Sequence, residues 1–213
     1  MQGYQADFIR FAMTRKVLLF GEFTLKSGRI SPYFFNAGLF NSGACLAEVG
    51  RYYAAAIAAS GIEFDMLYGP AYKGIPLVAA VTTQIYNDTG RDLPWCFNRK
   101  EAKDHGEAGI FVGTQPAGRV LIVDDVISAG TSSRESVELI SAAGAAPVGL
   151  AIALDRQERG AGERSAVQEA QDNLGLSIAK IIALDDLLEF LRNEESLETE
   201  LQAVEKYRER YGV

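Results

Sequence analysis

The chain has 213 residues, with 28 acidic and 21 basic side chains and a formal net charge of −7. This balance argues against a nucleic-acid-binding surface, because neutralising phosphates requires a basic face. The length suits one domain whose core is large enough to need neither a metal nor a disulfide.

The cysteines and the first residues bear on the cellular compartment. Cys45 and Cys96 are too few for a disulfide framework and lack metal-ligand spacing, so we expect buried thiols in a reducing compartment. Residues 1–16 read as an amphipathic helix rather than a signal peptide, and no apolar run approaches membrane-spanning length. The expected location is the cytoplasm.

Two short strand patterns follow the first helix. They cover residues 17–25 and 29–35 and are separated by Lys26, Ser27 and Gly28, which predicts a hairpin. We expect this hairpin to cap the ligand edge of a larger sheet.

A helix pattern over 44–60 and a strand over 64–68 lead into a turn at 69–74, reading GPAYKG. The turn opens a helix that continues to about residue 88. Its backbone amides and the ammonium of Lys73 are suited to an anionic group, although a tight turn with a solvated lysine is the simpler alternative.

A charged segment over 98–109 follows a predicted strand over 93–97. It lies between strands, lacks a helical apolar period and ends in glycine, which is typical of a mobile lid. The alternative is a solvated charged face. Its cationic and titratable side chains include Arg99, Lys100, Lys103 and His105.

The most informative segment is 119–134, reading RVLIVDDVISAGTSSR. The aliphatic run 120–123 predicts a strand buried on both faces of a parallel sheet. Asp124 and Asp125 follow at its carboxyl end, which faces the ligand crevice in open α/β sheets. The small residues 128–132 allow successive amides to close around an anion. The order predicts a sugar-phosphate site, whereas the alternative is an acid pair that only ends the strand.

The next helix has a predicted start and stop. Ser132 and Glu135 have capping-box spacing, and Gly144 is the expected stop. Gly130 is followed by Thr131 rather than lysine, which disfavours a Walker A nucleotide site.

A further strand is predicted over 148–154, and Arg156 follows it at the same sheet edge. A guanidinium there can pair bidentately with a carboxylate, or it can be a surface arginine that pairs with Asp155 or Glu158. The remaining predicted elements are a strand over 178–183 and helices over 185–192 and 197–211. The alternation predicts an α/β fold with a mainly parallel sheet.

These motifs carry a family resemblance. VLIVDDVISAGT resembles the signature of phosphoribosyltransferases that use 5-phosphoribosyl 1-diphosphate (PRPP). FGEFTLKSGRISPYFFNAG, GPAYKGIP, CFNRKEAKDHGE and LDRQERG then resemble bacterial orotate phosphoribosyltransferases, and the similarity covers essentially the whole length. Ser128 stands where that family more often has threonine.

The resemblance implies the type I phosphoribosyltransferase fold, a mainly parallel twisted sheet flanked by helices with an N-terminal hood. It implies a single domain over 1–213, with the first helix and hood in about 1–40 and the mobile lid loop in 98–110. The implied reaction transfers phosphoribosyl from PRPP to N1 of orotate, in de novo synthesis of UMP.

The resemblance also implies roles for individual residues. The implied catalytic residues are Lys73, Lys103, His105, Asp124 and Asp125. The implied PRPP contacts are Lys26, Tyr72, Lys73, Arg99, Lys100, Lys103, His105, Asp124, Asp125, Val126, Ile127, Ser128, Ala129, Gly130, Thr131 and Ser132. The implied orotate contacts are Phe34, Phe35, Ser128 and Arg156.

The implied cofactor is Mg²⁺, held mainly through PRPP rather than by direct protein ligands. The implied assembly is a homodimer in which each lid reaches the partner's site, with no nucleic-acid or membrane partner. Two alternatives stay open: a phosphoribosyltransferase for another base, and a non-catalytic PRPP-binding regulator. The acidic pI and the lid weigh against the regulator.

Overall fold

A computed structural model describes residues 1–25, 27–103, 109–127, 131–160 and 162–213, with the backbone alone at 102 and 103. The helices are α1 (Gly3–Thr14), α2 (Gly43–Ser60), α3 (Gly74–Thr89), α4 (Thr131–Ala142), α5 (Ala166–Leu174), α6 (Leu184–Arg192) and α7 (Glu198–Tyr211). The strands are β1 (Leu18–Thr24), β2 (Ile30–Phe35), β3 (Met66–Gly69), β4 (Trp95–Lys103), β5 (Gly109–Gly113), β6 (Arg119–Val123), β7 (Ala146–Asp155) and β8 (Ser177–Ala183). Within these ranges no helix is both long and apolar enough to cross a membrane.

Six strands form the main sheet, in the order β5-β4-β3-β6-β7-β8. All neighbours are parallel except β4 and β5, which pair antiparallel. The chain moves from β3 to one side of the sheet and from β6 to the other, so the strand order reverses between these two central strands. In open α/β sheets ligands bind outside the carboxyl ends of the strands at such a reversal.

Alternate residues of β6 enter two different cores, because successive side chains of a strand point to opposite faces. Leu121 and Val123 pack into the cluster beneath α1, α2, α3, α6 and α7. Val120 and Ile122 pack into the second cluster, with Ile140 of α4 and Val167 of α5. The predicted strand buried on both faces is therefore confirmed.

The predicted hairpin is also confirmed as the antiparallel pair β1 and β2. It lies beside the carboxyl end of β7, where Arg29 donates hydrogen bonds to the carbonyls of Arg159 (2.8 Å) and Gly160 (3.3 Å). The further idea that it caps the loops after β3 and β6 stays a prediction.

Two elements were not predicted from the sequence. Only the first two residues of β5 were assigned, as the end of the lid at 109–110, but β5 is an edge strand, and β4 runs on to Lys103 instead of ending at Phe97. The helix α5 follows Ser165, whose hydroxyl accepts a hydrogen bond from the backbone N–H of Gln168 in a capping box.

Candidate active site

Two turns meet at the strand reversal. One follows β3 and leads into α3, and the other follows β6 and leads towards α4. Their backbones approach closely, because a methyl group placed on Gly74 would lie 2.9 Å from the carbonyl oxygen of Val123 and 2.5 Å from Cδ of Pro70. The Ala71–Tyr72 peptide in the first turn is cis. Glycine at position 74 therefore lets the first turn lie directly against the end of β6.

An ion pair joins the two turns. Nζ of Lys73 lies 2.6 Å from Oδ2 of Asp125. The aspartate is buried, whereas the lysine side chain is 59% exposed. The turn suited to an anionic group and the acid pair of the predicted sugar-phosphate site are thus in direct contact.

The acid pair is fixed by hydrogen bonds. Oδ1 of Asp124 accepts from the backbone N–H of Asp125 (2.9 Å), and Oδ2 accepts from the Ser132 hydroxyl (3.2 Å). Oδ1 of Asp125 accepts from the backbone N–H of Val126 (2.9 Å), while the Tyr53 hydroxyl donates to the carbonyl of Asp124 (2.7 Å). These carboxylates are preorganised acceptors at the carboxyl end of β6.

Burial, together with the neighbouring charge of Asp125, raises the pKa of Asp124 to about 6. The Ser132 hydroxyl and the Lys73 ammonium act in the opposite direction. Ionised Asp124 is therefore held at a cost in free energy, which is typical of functional sites.

Asn98 is a site residue that the sequence analysis did not single out. Its Oδ1 accepts hydrogen bonds from the backbone N–H of Ala71 (2.8 Å) and from the Tyr68 hydroxyl (2.9 Å). The side chain therefore ties the first turn to β4. Its only sequence signal was a polar residue directly after an apolar strand segment.

The charged segment begins as strand rather than loop. Arg99 and Lys100 lie in β4, and Nη1 of Arg99 donates to the carbonyls of Gly109 (3.3 Å) and Phe111 (3.4 Å) across the hairpin. Nζ of Lys100 lies 5.8 Å from the centre of the exposed Tyr72 ring. This contact places the base of the predicted lid beside the turn after β3.

Some predicted site residues lie wholly or partly outside the described residues. Lys103 pairs through its backbone with Gly109, but its side chain is not among those described. The residues that lie wholly outside are Lys26, His105, Ser128, Ala129 and Gly130. Their roles stay predictions.

The residues on either side of positions 128–130, in the loop after the acid pair, contact neighbouring strands and helices. Val126 forms a single parallel bridge to Leu154, and Ile127 packs against the second core. Thr131 begins α4, so Ser132 lies inside the helix. The prediction of Ser132 as a helix cap was wrong, because its hydroxyl donates to Asp124 instead.

Arg156 is held beneath the hairpin. Its Nε lies 2.8 Å and its Nη2 2.6 Å from Oε1 of Glu158, and Nη2 donates to the Ser31 hydroxyl (3.0 Å). The guanidinium carbon lies 4.2 Å from the centre of the Tyr33 ring. The predicted pairing with Glu158 is therefore present, but the arginine side chain is only 16% exposed and is not a surface residue.

Phe34 and Phe35 point to opposite faces of β2. Phe35 packs in the core against Phe8 and Phe40, with ring centres 6.3 Å away in each case. Phe34 stacks on Phe23 at 5.4 Å. The structure does not bring the two rings together, and Phe35 shares its face of the strand with the Ser31 and Tyr33 contacts of Arg156.

Comparison with known proteins places this arrangement in a family. The phosphoribosyl transferase domain model matches residues 38–177. Orotate phosphoribosyltransferases from Thioalkalivibrio sulfidiphilus and Pseudomonas aeruginosa are 64% and 59% identical to the chain, each over the full length of both proteins. A crystal structure of orotate phosphoribosyltransferase from Francisella tularensis is 42% identical, with a TM-score of 0.88, covering 97% of this chain and 100% of that one. The chain therefore belongs to the orotate phosphoribosyltransferase family.

Proposed function

We propose that the chain carries out the reaction of its family, transferring the 5-phosphoribosyl group of PRPP to N1 of orotate. The products are orotidine 5′-phosphate and diphosphate, and the reaction belongs to de novo UMP synthesis. The observation that carries the proposal is the 2.6 Å contact between Lys73 and Asp125 at the strand reversal. It joins a cation suited to a leaving diphosphate with a carboxylate suited to a sugar.

The charge distribution suits the chemistry. Ribosyl transfer passes through an oxocarbenium-like state, in which positive charge grows on the sugar and negative charge grows on the departing diphosphate. Asp124 and Asp125 accept hydrogen bonds from the ribose hydroxyls and stabilise the positive charge. Lys73, with Tyr72 in the same turn, binds the diphosphate and stabilises the negative charge.

The 5′-phosphate is assigned to the loop over 128–132, whose last described residues, Thr131 and Ser132, begin α4. Backbone N–H groups are unsatisfied at the start of a helix and bind phosphate well. The turn after β3 and this loop then hold opposite ends of PRPP, with the acid pair between them.

The orotate site is assigned to Arg156, to Phe34 and Phe35 of β2, and to Ser128. A buried guanidinium suits the orotate carboxylate, because its planar donors match the carboxylate geometry and burial strengthens the interaction. Phe35 supports the strand from the core, so we assign its contribution to the position of the backbone rather than to an exposed ring.

Mg²⁺ fits the donor set as an ion that arrives with PRPP. Within the described residues no group of three or more His, Cys, Asp or Glu side chains is placed to hold a metal. All four oxygens of the acid pair already accept hydrogen bonds, one of them from Nζ of Lys73. Mg²⁺ usually binds through one or two carboxylates and substrate phosphates, so here it would be held mainly through PRPP rather than by direct protein ligands. When bound, it neutralises diphosphate charge.

The lid and the assembly complete the proposal. Arg99, Lys103 and His105 of the lid close over the diphosphate from the partner's β4–β5 hairpin in a cytoplasmic homodimer, while Lys100 of the same segment lies beside Tyr72 of its own chain. Closure excludes water, which otherwise competes with orotate for the ribosyl group.

The test is a spectrophotometric assay of orotate loss with PRPP and Mg²⁺ present or individually omitted. Loss of orotate only in the complete mixture, matched by diphosphate release, is the expected result. Adenine, guanine and uracil replace orotate in parallel reactions. Turnover of one of these bases in preference to orotate, or PRPP binding without turnover of any base, would overturn the proposal.

A further inference from the structure

The guanidinium of Arg156 is oriented by a buried neighbour. Glu158 engages its Nε and Nη2 through a single oxygen, Oε1, at 2.8 and 2.6 Å. The two side chains are only 16% and 12% exposed. A buried ion pair is costly to break from one side, because the remaining charge loses its compensation. The side chain of Glu158 therefore restricts the rotamer of the arginine strongly.

The same glutamate is itself held in place. The Tyr33 hydroxyl donates to its Oε1 at 3.3 Å, and Nη1 of Arg29 lies 3.9 Å from its Oε2. Arg29 lies over the Tyr211 ring, 4.8 Å from its centre. Glu158 is thus fixed between the hairpin and α7.

The backbone around Glu158 is paired as well. Arg159 donates from its backbone N–H to the carbonyl of Tyr211 (2.9 Å), and Val213 donates to the carbonyl of Gln157 (3.0 Å). Together with the bridge between Glu158 and Gly212, these bonds form a short antiparallel pairing directly after the arginine. This pairing fixes the position from which Glu158 reaches Arg156.

Tyr207 of α7 completes the surroundings. Its ring packs edge-on against Tyr33, with centres 6.3 Å apart. Its hydroxyl is buried and has no hydrogen-bond partner among the described residues. Burial raises the pKa of Tyr207, and the charge of Glu158 raises it further. The Tyr207 side chain therefore lies beside the ion pair of Arg156 and Glu158.

The donors of Arg156 are used unequally. Glu158 occupies the edge formed by Nε and Nη2, and Ser31 accepts a further hydrogen bond from Nη2. Nη1 takes part in neither of these contacts. This end of the guanidinium is the one available to an incoming carboxylate.

We propose that Glu158 is a positioning residue for orotate, holding the guanidinium of Arg156 so that its Nη1 end receives the orotate carboxylate, with Tyr207 as the wall behind the pair. This inference rests on the proposed role of Arg156 in the orotate site. It assigns to Glu158 and α7 an effect on orotate binding that is separate from the PRPP end of the site.

The experiment measures KM for orotate, KM for PRPP and kcat in the full-length protein. Glu158→Ala should raise the orotate KM about 10- to 100-fold, the range expected when a hydrogen bond to a charged group is lost, with the PRPP KM within about twofold of wild type. Glu158→Gln keeps an oxygen that accepts from Nε and should recover most of that loss. Tyr207→Phe should change the orotate KM less than Glu158→Ala does. Glu163→Ala removes an exposed partner of Arg159 and is the matched control, with all three constants unchanged.

A purely structural role would raise both KM values together, or lower the folded fraction without rescue by glutamine. Either result overturns the proposal. Urea unfolding of each variant separates folding from binding. Glu158→Ala should add little in an Arg156→Lys background, because the guanidinium that it orients is then missing.

Arg156→Ala distinguishes two kinds of failure. An unchanged orotate KM in this variant would show that Arg156 does not contact orotate, and the proposed site assignment would fail. A raised orotate KM in Arg156→Ala but an unchanged one in Glu158→Ala would overturn the positioning role alone.

Discussion

Nζ of Lys73 lies 2.6 Å from Oδ2 of Asp125, so one ion pair connects the turns that follow the two central strands of the sheet. In the proposed function, a diphosphate bound at the first turn would compete with Asp125 for the same ammonium. The lysine is mostly exposed and the aspartate is buried, so the cation can turn towards a ligand while the carboxylate stays in place.

Lys73→Gln removes this cation while keeping most of the side-chain length. We expect kcat/KM for PRPP to fall about 10²- to 10³-fold, as for the loss of one preorganised group that stabilises developing charge. Steady-state kinetics with varied PRPP provide the measurement. Arg119→Gln is the control, because it breaks ion pairs to Glu63 and Asp65 at the opposite end of β6. Equal losses in both variants would contradict a specific role for Lys73.

Asp124→Asn should make the protein more stable and less active. The pKa of Asp124 is raised in the folded state to about 6, so the native state binds more protons than the unfolded state between about pH 4 and pH 6. Its contribution to stability therefore falls as the pH rises through that window. A neutral amide removes a cost of about 2 to 3 kcal/mol at pH 7.5 and a smaller cost at pH 5.

Urea unfolding of wild type and Asp124→Asn at both pH values checks this difference. A stability gain that is equal at pH 5 and pH 7.5 would contradict the titration of Asp124. Asp172→Asn, which removes an exposed partner of Arg164, is the matched control for the loss of a carboxylate outside the site.

Asn98→Ala should raise the KM for PRPP about tenfold, because the backbone N–H of Ala71 loses its acceptor and the first turn loses its link to β4. The orotate KM should change much less. Tyr68→Phe removes the other donor to Asn98 and leaves the bond to Ala71, so it should have a smaller effect. An equal effect of the two variants would show that the hydrogen bond from the backbone N–H of Ala71 to Asn98 contributes nothing beyond the Tyr68 contact.

Arg156→Lys should weaken the binding of orotate more than the binding of PRPP. An ammonium cannot reproduce contacts to Glu158 and Ser31 while also offering a planar donor to a carboxylate. The ratio of the two KM values is the measurement, and Arg164→Lys on the exposed pair with Asp172 is the control. Equal weakening of orotate binding and PRPP binding would show that Arg156 is not part of the orotate site.

Lys103→Ala should lower kcat strongly while leaving orotate binding nearly intact, because the proposed interaction of Lys103 with the departing diphosphate would strengthen mainly in the transition state. If lids act across a dimer, mixing Lys103→Ala with Arg156→Ala should restore about a quarter of wild-type activity, since half of the dimers are hybrids and each has one intact site. A fluorescent label on one variant confirms subunit exchange. No recovery despite exchange would indicate sites built from a single chain.

Local patterns predicted much of this fold. The aliphatic run before Asp124 identified the central strand, and the helix pattern over 44–60 ended where α2 ends, before Gly61, whose φ of +67° favours glycine. Both features depend only on neighbouring residues. The resemblance to a family then supplied the assignments that such patterns leave open.

Long-range pairing set the limits of prediction. The strand β5 was missed because three apolar residues between glycines give no clear period, and its partner β4 lies across a charged segment. Ser132 has capping-box spacing, but its hydroxyl donates a hydrogen bond to the carboxylate of Asp124, eight positions earlier in the chain. Asn98 gained its role only when the sheet brought it beside Ala71.

The close approach at Gly74 also affects which substrates fit. A side chain at this position would collide with the end of β6, so the backbone of the first turn and the start of the acid pair form one rigid unit. The separation between the backbone of the first turn and the start of the acid pair is then a property of the fold rather than of a mobile side chain. We therefore expect the site to prefer a sugar whose anionic substituent lies at one fixed distance from its hydroxyls. Analogues in which this distance is shorter or longer should bind less well.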